Sequence, residues 1–307
     1  MRLHTAGCRA IRIAARGQAS FRQPQQMIWQ TKTRTFDLSQ RGLIMGVLNV
    51  TSDSFSDGGQ FLAADAAVEH ARAMAGQGAA IIDIGGESTR PGAQPVPEEE
   101  EMRRVLPVIE QLAGDARFAI SIDTMKPAVA RAAMERGAEI INDVGGLRDP
   151  AMLAAARDTG SGVIAMHMQG TPRDMQKAPR YDDVCAEIRE FFRQTFEACL
   201  RCGIDTMRLA LDPGIGFGKT VEHNLALLRN LGSMRVEGRP LVLGVSRKSF
   251  LGKVCGSTSV EDREWPTVAL TSYGRTQGAE VFRVHDVQPN LHALRMTEAI
   301  LNAEARE

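Results

Sequence analysis

Asp123, Asn142 and Asp212 lie far apart in the sequence, yet each closes an apolar run. An ionised carboxylate accepts two parallel hydrogen bonds from a planar pair of N–H donors, and an amide adds one donor group and one acceptor. Gathered around one ligand, the three could read the edge of an aminopyrimidinone ring. Singly, each could as well be a helix cap or a turn residue. Arg283 and His285 are two apart on another run, so both leave the same face of a strand. That pair suits an anion. The stretch ESTRPGA adds Thr89 and Arg90, and a guanidinium can fork onto phosphate oxygens. In GVSRKSF, Ser246 is placed to cap a helix whose free N–H groups attract a carboxylate, with Lys248 aimed at the same ligand. His167 lacks the HxxxH spacing of a metal pair and reads as a hydrogen-bonded wall residue.

LDPGIGFGKT, residues 211–220, resembles a nucleotide phosphate loop but fails its spacing, because Pro213 stands where the first glycine must be. Gly214, Gly216 and Gly218 also miss the dinucleotide fingerprint. They read instead as positions where backbone passes close to a flat ligand beside Asp212.

The elements that must position these groups show as eight short apolar runs: 43–50, 79–86, 118–124, 139–144, 162–168, 208–214, 240–246 and 281–286. Amphipathic stretches such as 63–77, 98–113, 126–136, 181–202, 221–231 and 288–305 separate them. Apolar strands alternating with helices imply a parallel sheet covered by helices, and this number of units predicts a single (β/α)8 TIM barrel of the α/β class. A doubly wound open sheet is the competitor, with fewer units and one switch point. Nearly every run ends in polar groups that make poor core, among them Asn49, Glu87 and His167. A barrel brings all those ends to one mouth.

Lys and Arg balance Asp and Glu at 37 each in 307 residues, so no charge footprint for nucleic acid or an anionic membrane exists. No apolar run reaches the roughly 20 residues that span a bilayer. Five scattered cysteines argue for a reducing compartment, hence a cytoplasmic protein, and the Cys199/Cys202 pair has no second pair to complete a zinc site. Residues 1–26 carry five arginines and no acid. They read either as a targeting segment or as an overlong start with Met27 the initiator, which leaves 27–307 as one domain.

The motifs IMGVLNVTSDSFSDGG (44–59), DIGGESTRPGA (83–93), SIDT (121–124), NDV (142–144), LDPGIGFGK (211–219), GVSRKSF (244–250) and RVHD (283–286) together resemble the dihydropteroate synthases. The resemblance runs from about Met27 to the C-terminus. It implies a homodimeric TIM-barrel transferase of folate biosynthesis and a sulfonamide target. Such an enzyme joins (7,8-dihydropterin-6-yl)methyl diphosphate to 4-aminobenzoate with Mg2+, releasing diphosphate. Carried over, Asp123, Asn142, Asp212 and Lys248 hold the pterin with Phe217 beside it. Thr89, Arg90, Arg283 and His285 hold diphosphate, Asn49 serves the metal, and Phe55, Pro91 and Ser246 border the aminobenzoate.

The family usually has Thr-Pro-Asp-Ser-Phe where this chain has Thr51-Ser52-Asp53-Ser54-Phe55. A loop without that φ restraint has more open states to lose on closing, which bears on turnover and sulfonamide response. Two other readings remain: a pterin-reading methyltransferase that uses methyltetrahydrofolate, and a catalytically silent pterin-binding paralogue. Arg90, Arg283 and His285 argue against the first, which needs no diphosphate pocket, and intact anion and lysine positions argue against the second.

Overall fold

A computed structural model describes residues 26–50, 59–89 and 92–303. Eight parallel strands form the centre: β3 (Leu43–Asn49), β4 (Ile81–Gly85), β5 (Ala119–Asp123), β6 (Ile140–Asp143), β7 (Gly162–Met166), β8 (Leu209–Asp212), β9 (Val242–Leu243) and β10 (Val281–Val284). A short antiparallel hairpin, β1 (Ile28–Gln30) and β2 (Thr35–Asp37), precedes them. The hydrogen-bonded order is β8-β7-β6-β5-β4-β3-β10-β9. A single parallel bridge, Leu211 to Leu241, joins the last two edges, where the Leu211 N–H donates to the Pro240 carbonyl at 2.9 Å. The predicted barrel is the observed one.

The surrounding helices are α1 (Gly59–Gly76), α2 (Glu98–Leu112), α3 (Pro127–Glu135), α4 (Pro150–Thr159), α5 (Val184–Arg201), α6 (Val221–Arg229), α7 (Ser249–Cys255), α8 (Glu264–Thr276) and α9 (Val287–Leu301). α4, which periodicity did not single out, carries strong local signals: Asp149 accepts from Ala151 N at its start, Pro150 opens the first turn, and Gly160 ends it in the left-handed region. α7 follows the helix start expected at GVSRKSF, whereas α8 has no such signal. They split a polar region whose periodicity is weak.

Strand residues alternate between two cores. Outward positions such as Ile82, Ile84, Ile120 and Ile122 pack against the helices. Inward positions form layers. The lowest contains Met45, Ile81, Ile140, Ile164, Val242 and Val281, and Trp29 and Leu38 from the hairpin region close it from below. Trp29 is fully buried, and its Nε1 donates to the Arg208 carbonyl at 2.9 Å. Glu139 holds the hairpin turn through Thr31, Thr33 and Arg34. The next inward position on each strand lies about 6.6 Å higher. That layer holds Asp83 on β4, Asn142 on β6, Asp212 on β8 and Arg283 on β10.

Candidate active site

The upper layer opens into a cavity at the carboxyl ends of the strands, lined among others by Thr89, Asp123, Asn142, Asp212, Phe217, Ser246, Lys248, Arg283 and His285. Nine of the residues expected at one site are thus brought together. Asn49 stands apart from that lining, exposed at the end of β3. It shares a lateral row with Gly85 and Asp123, so its strand position still faces the mouth. Phe55, Arg90 and Pro91, like Ser52 and residues 1–25, lie outside the described residues.

Arg283 does not reach the cavity as an isolated cation. Its Nε donates to Asp83 Oδ2 at 2.6 Å and its Nη2 to Asp123 Oδ2 at 2.7 Å. Burial alone would lower its affinity for a proton, but the two carboxylates outweigh that and raise it above its ordinary value. Asp123 is pushed up to about 7, first by burial and then by the negative Asp83 and Glu101, with Arg283 and Lys248 opposing. Asp83 also accepts from Asn142 Nδ2 at 3.0 Å. Asp83 is not marked by strand-end polarity, because it lies in mid-strand. Its parity was the available signal: two residues after inward Ile81 and two before Gly85, it too must point inward.

Asp212 is buried on the far side of the mouth. Its Oδ1 accepts from Gly214 N at 2.7 Å, and burial raises its carboxyl to about 6. Gly214 and Gly218 have φ of 66° and 62°, and a Cβ on them would lie 1.9 Å from the His167 carbonyl oxygen and 2.6 Å from that of Gln169. Gly214 lines the cavity beside Asp212, the place expected of it, and both glycines have a second duty. They let the β8–α6 loop lie against the loop after β7.

Lys219 locks that contact. Its buried Nζ donates to the Phe217 carbonyl at 2.9 Å and lies 3.1 Å from His167 Nδ1. Burial depresses the Lys219 amine to about 7 and keeps the His167 imidazole neutral, at about 2. His167 is therefore a hydrogen-bonded neutral group, as expected, set behind the cavity lining. The clamp presents the Phe217 ring to Lys248, whose Nζ stands 3.8 Å above the ring centroid. Val144, Met166, Met168 and Met175 pack with Phe217 as a soft apolar wall.

Ser246 does not cap a helix. α7 begins at Ser249 after Lys248, which makes no side-chain cap bond. The Ser246 Oγ instead lies 2.9 Å from His285 Nδ1 and accepts from His285 N at 3.1 Å, fixing the imidazole at the cavity edge. Between Ser246 and Lys248, Arg247 adopts a left-handed φ of 58° and pairs with Asp286 at 2.7 Å. The turn sends Ser246 and Lys248 into the cavity and Arg247 away from it.

One half of the cavity thus offers a carboxylate, an amide, an aromatic ring and an ammonium to a flat heterocycle. The other offers a guanidinium and an imidazole to an anion. Residues 45–285 match the family described as pterin binding enzyme. Dihydropteroate synthase of Escherichia coli (strain K12) is 47% identical over 261 residues, which cover 85% of this chain and 92% of that protein. That of Synechocystis sp. is 41% identical over 266 residues, covering 86% and 92%. Among solved structures, Yersinia pestis dihydropteroate synthase in a sulfonamide drug complex aligns with a TM-score of 0.84 at 45% identity, over 90% of this chain and 100% of that one. The Burkholderia cenocepacia enzyme complexed with 7,8-dihydropteroate aligns with a TM-score of 0.82 at 41% identity, over 90% and 97%. The barrel, the cavity at its mouth and these relatives converge: the chain belongs to the pterin-binding enzyme family, among its dihydropteroate synthases.

Proposed function

We propose that this chain condenses (7,8-dihydropterin-6-yl)methyl diphosphate with 4-aminobenzoate to give 7,8-dihydropteroate and diphosphate. The observation that carries the reading is the division of one cavity between Asp212, Asn142, Phe217 and Lys248 on one side and Arg283 and His285 on the other. Asp212 and Asn142 read the N–H edge of the pterin, and the ring lies against Phe217 and Lys248. Arg283 and His285, with Thr89 and Arg90, receive the diphosphate. Phe55, Pro91 and Ser246 border the aminobenzoate.

The C–O bond to diphosphate breaks with its electron pair leaving on oxygen, and the cation left on the exocyclic carbon is delocalised into the pterin. Ionised Asp212 favours that developing positive charge, while the preorganised donors of Arg283 and His285 favour the leaving anion. The arylamine nitrogen is neutral and nucleophilic at neutral pH, so C–N bond formation needs no general base, and the proton is lost afterwards.

Mg2+ belongs to this reading. It takes oxygen ligands and is usually held by one or two protein groups plus substrate phosphates. Asn49 offers an amide oxygen at the mouth, and Gly85, beside it in the lateral row, leaves the neighbouring space without a side chain. These residues fit the ion, which would neutralise diphosphate charge. A homodimer is also part of the proposal, supported by exposed apolar side chains on the packed helices α8 and α9: Trp265, Tyr273, Met296 and Ile300. Light scattering that returns one subunit mass removes it. No helix among the described residues is long and apolar enough to cross a membrane, and the scattered thiols support a cytoplasmic site of action.

The test is purified protein with both substrates, with and without Mg2+, followed for diphosphate release. Release that requires 4-aminobenzoate supports the reading; release without it, or none, sinks it.

A further inference from the structure

Asp83 is fully buried on β4 and does not line the cavity. One of its oxygens, Oδ2, accepts from two donors at once: Arg283 Nε at 2.6 Å and Asn142 Nδ2 at 3.0 Å. In the ring order, β4 stands two places from β6, which carries Asn142, and two places from β10, which carries Arg283. The carboxylate therefore reaches both halves of the site from midway between them.

The chemistry of the acceptor has a directional consequence. The Asn142 amide turns its NH2 toward the same Asp83 oxygen that accepts from Arg283. Its carbonyl oxygen is then the atom offered to the cavity, where it can accept from a ring N–H. In the same way, Arg283 spends Nε on Asp83 and Nη2 on Asp123, which leaves the Nη1 donors for an anion. We propose that Asp83 is a positioning residue: by serving as the shared acceptor of Asn142 and Arg283, it sets which hydrogen-bonding atoms the pterin half and the diphosphate half present. The inference rests on the reaction proposed above and extends it to a residue that touches neither substrate.

The test is calorimetric binding of 6-hydroxymethylpterin and of inorganic diphosphate to the full chain and its variants, with thermal unfolding as a control. Asp83→Ala removes the acceptor and is expected to weaken both ligands by roughly ten-fold or more, the worth of a hydrogen bond to a charged group. Asp83→Asn can place its amide oxygen where Oδ2 lies, and is expected to recover both affinities to within roughly three-fold. A truly shared acceptor is refuted if Asp83→Ala binds either ligand as tightly as the parent, or if Asp83→Asn recovers neither.

If Asp83→Ala does not fold, Asn142→Ala answers the question with Asp83 in place. Freed of one donor, Asp83 draws Arg283 inward, so diphosphate binding weakens although the change lies on the pterin side; unchanged diphosphate affinity overturns the coupling. A parent chain that binds both ligands but makes no dihydropteroate removes the proposed reaction and leaves Asp83 to be judged on binding. A parent chain that binds neither removes both.

Discussion

At the base of the barrel, Met45, Ile81, Ile140 and Val281 meet above a buried tryptophan, with few polar atoms to satisfy. One inward step higher on the same strands sit Asp83, Asn142 and Arg283, and two of the site's carboxyls, Asp123 and Asp212, are raised to about 7 and about 6. Burial stabilises the first layer at roughly 25 cal/mol per Å² of apolar surface. It penalises the second, where each ionised group must be desolvated and re-paired. The backbone geometry of the two layers is alike, so the difference lies in side chains alone. A parallel barrel can therefore hold a costly site at one end because the other end is closed and apolar.

The largest effect is expected at the base. Trp29→Ala should destabilise folding by about 3–5 kcal/mol while the protein that remains folded keeps its kcat/KM. Denaturant titration with activity normalised to folded protein checks this; a parallel loss of specific activity would mean the two ends are not independent.

Next is the mouth itself. Arg283→Ala should remove on the order of 2–4 kcal/mol of transition-state stabilisation. An unchanged kcat/KM would take Arg283 out of the leaving-group site.

Asp212→Asn should separate stability from function. Burial raises the Asp212 carboxyl from 3.8 to about 6, so between those values the folded state holds a proton that the unfolded chain has released. Stability contributed by this group therefore falls as pH rises through the window and is flat on either side. The Asn variant should be more stable than the parent by on the order of 1–3 kcal/mol above pH 6, with the gain vanishing near pH 4, and should lose pterin affinity. Unfolding curves that show no gain at neutral pH would place the cost of the mouth elsewhere.

The smallest effect belongs to the ring contact. A double-mutant cycle of Lys248→Met with Phe217→Leu should return a coupling of about 0.5–2 kcal/mol in pterin binding, and a coupling of zero would make their stacking incidental.

Much of this was legible in the primary structure, because the barrel rests on runs whose chemistry is local. The eight apolar runs mark the eight strands, although at 240–246 only Val242 and Leu243 pair as strand, since Pro240 and Gly244 interrupt the run. Strand-end polarity points to eight of the cavity residues, and the family resemblance adds Phe217. What escaped depended on partners distant in sequence. Asp83 acquires its meaning only from Arg283, 200 residues away. Ser246 has the local look of a cap, but its partner, His285, lies 39 residues on. The glycines of the β8–α6 loop answer to carbonyls of the preceding loop, which no local pattern announces.

The seam between β8 and β9 carries a consequence of its own. Seven of the joints in the ring are strand ladders, and the eighth is one bridge beside a proline that has no N–H to give. Amide protons there should trade with solvent sooner than those of β4 or β5, as local openings begin where the fewest bonds must part. Because Leu211 immediately precedes Asp212, each such breath would loosen the carboxylate proposed to grip the pterin, and a bound ligand should slow exchange at this edge more than anywhere else in the ring.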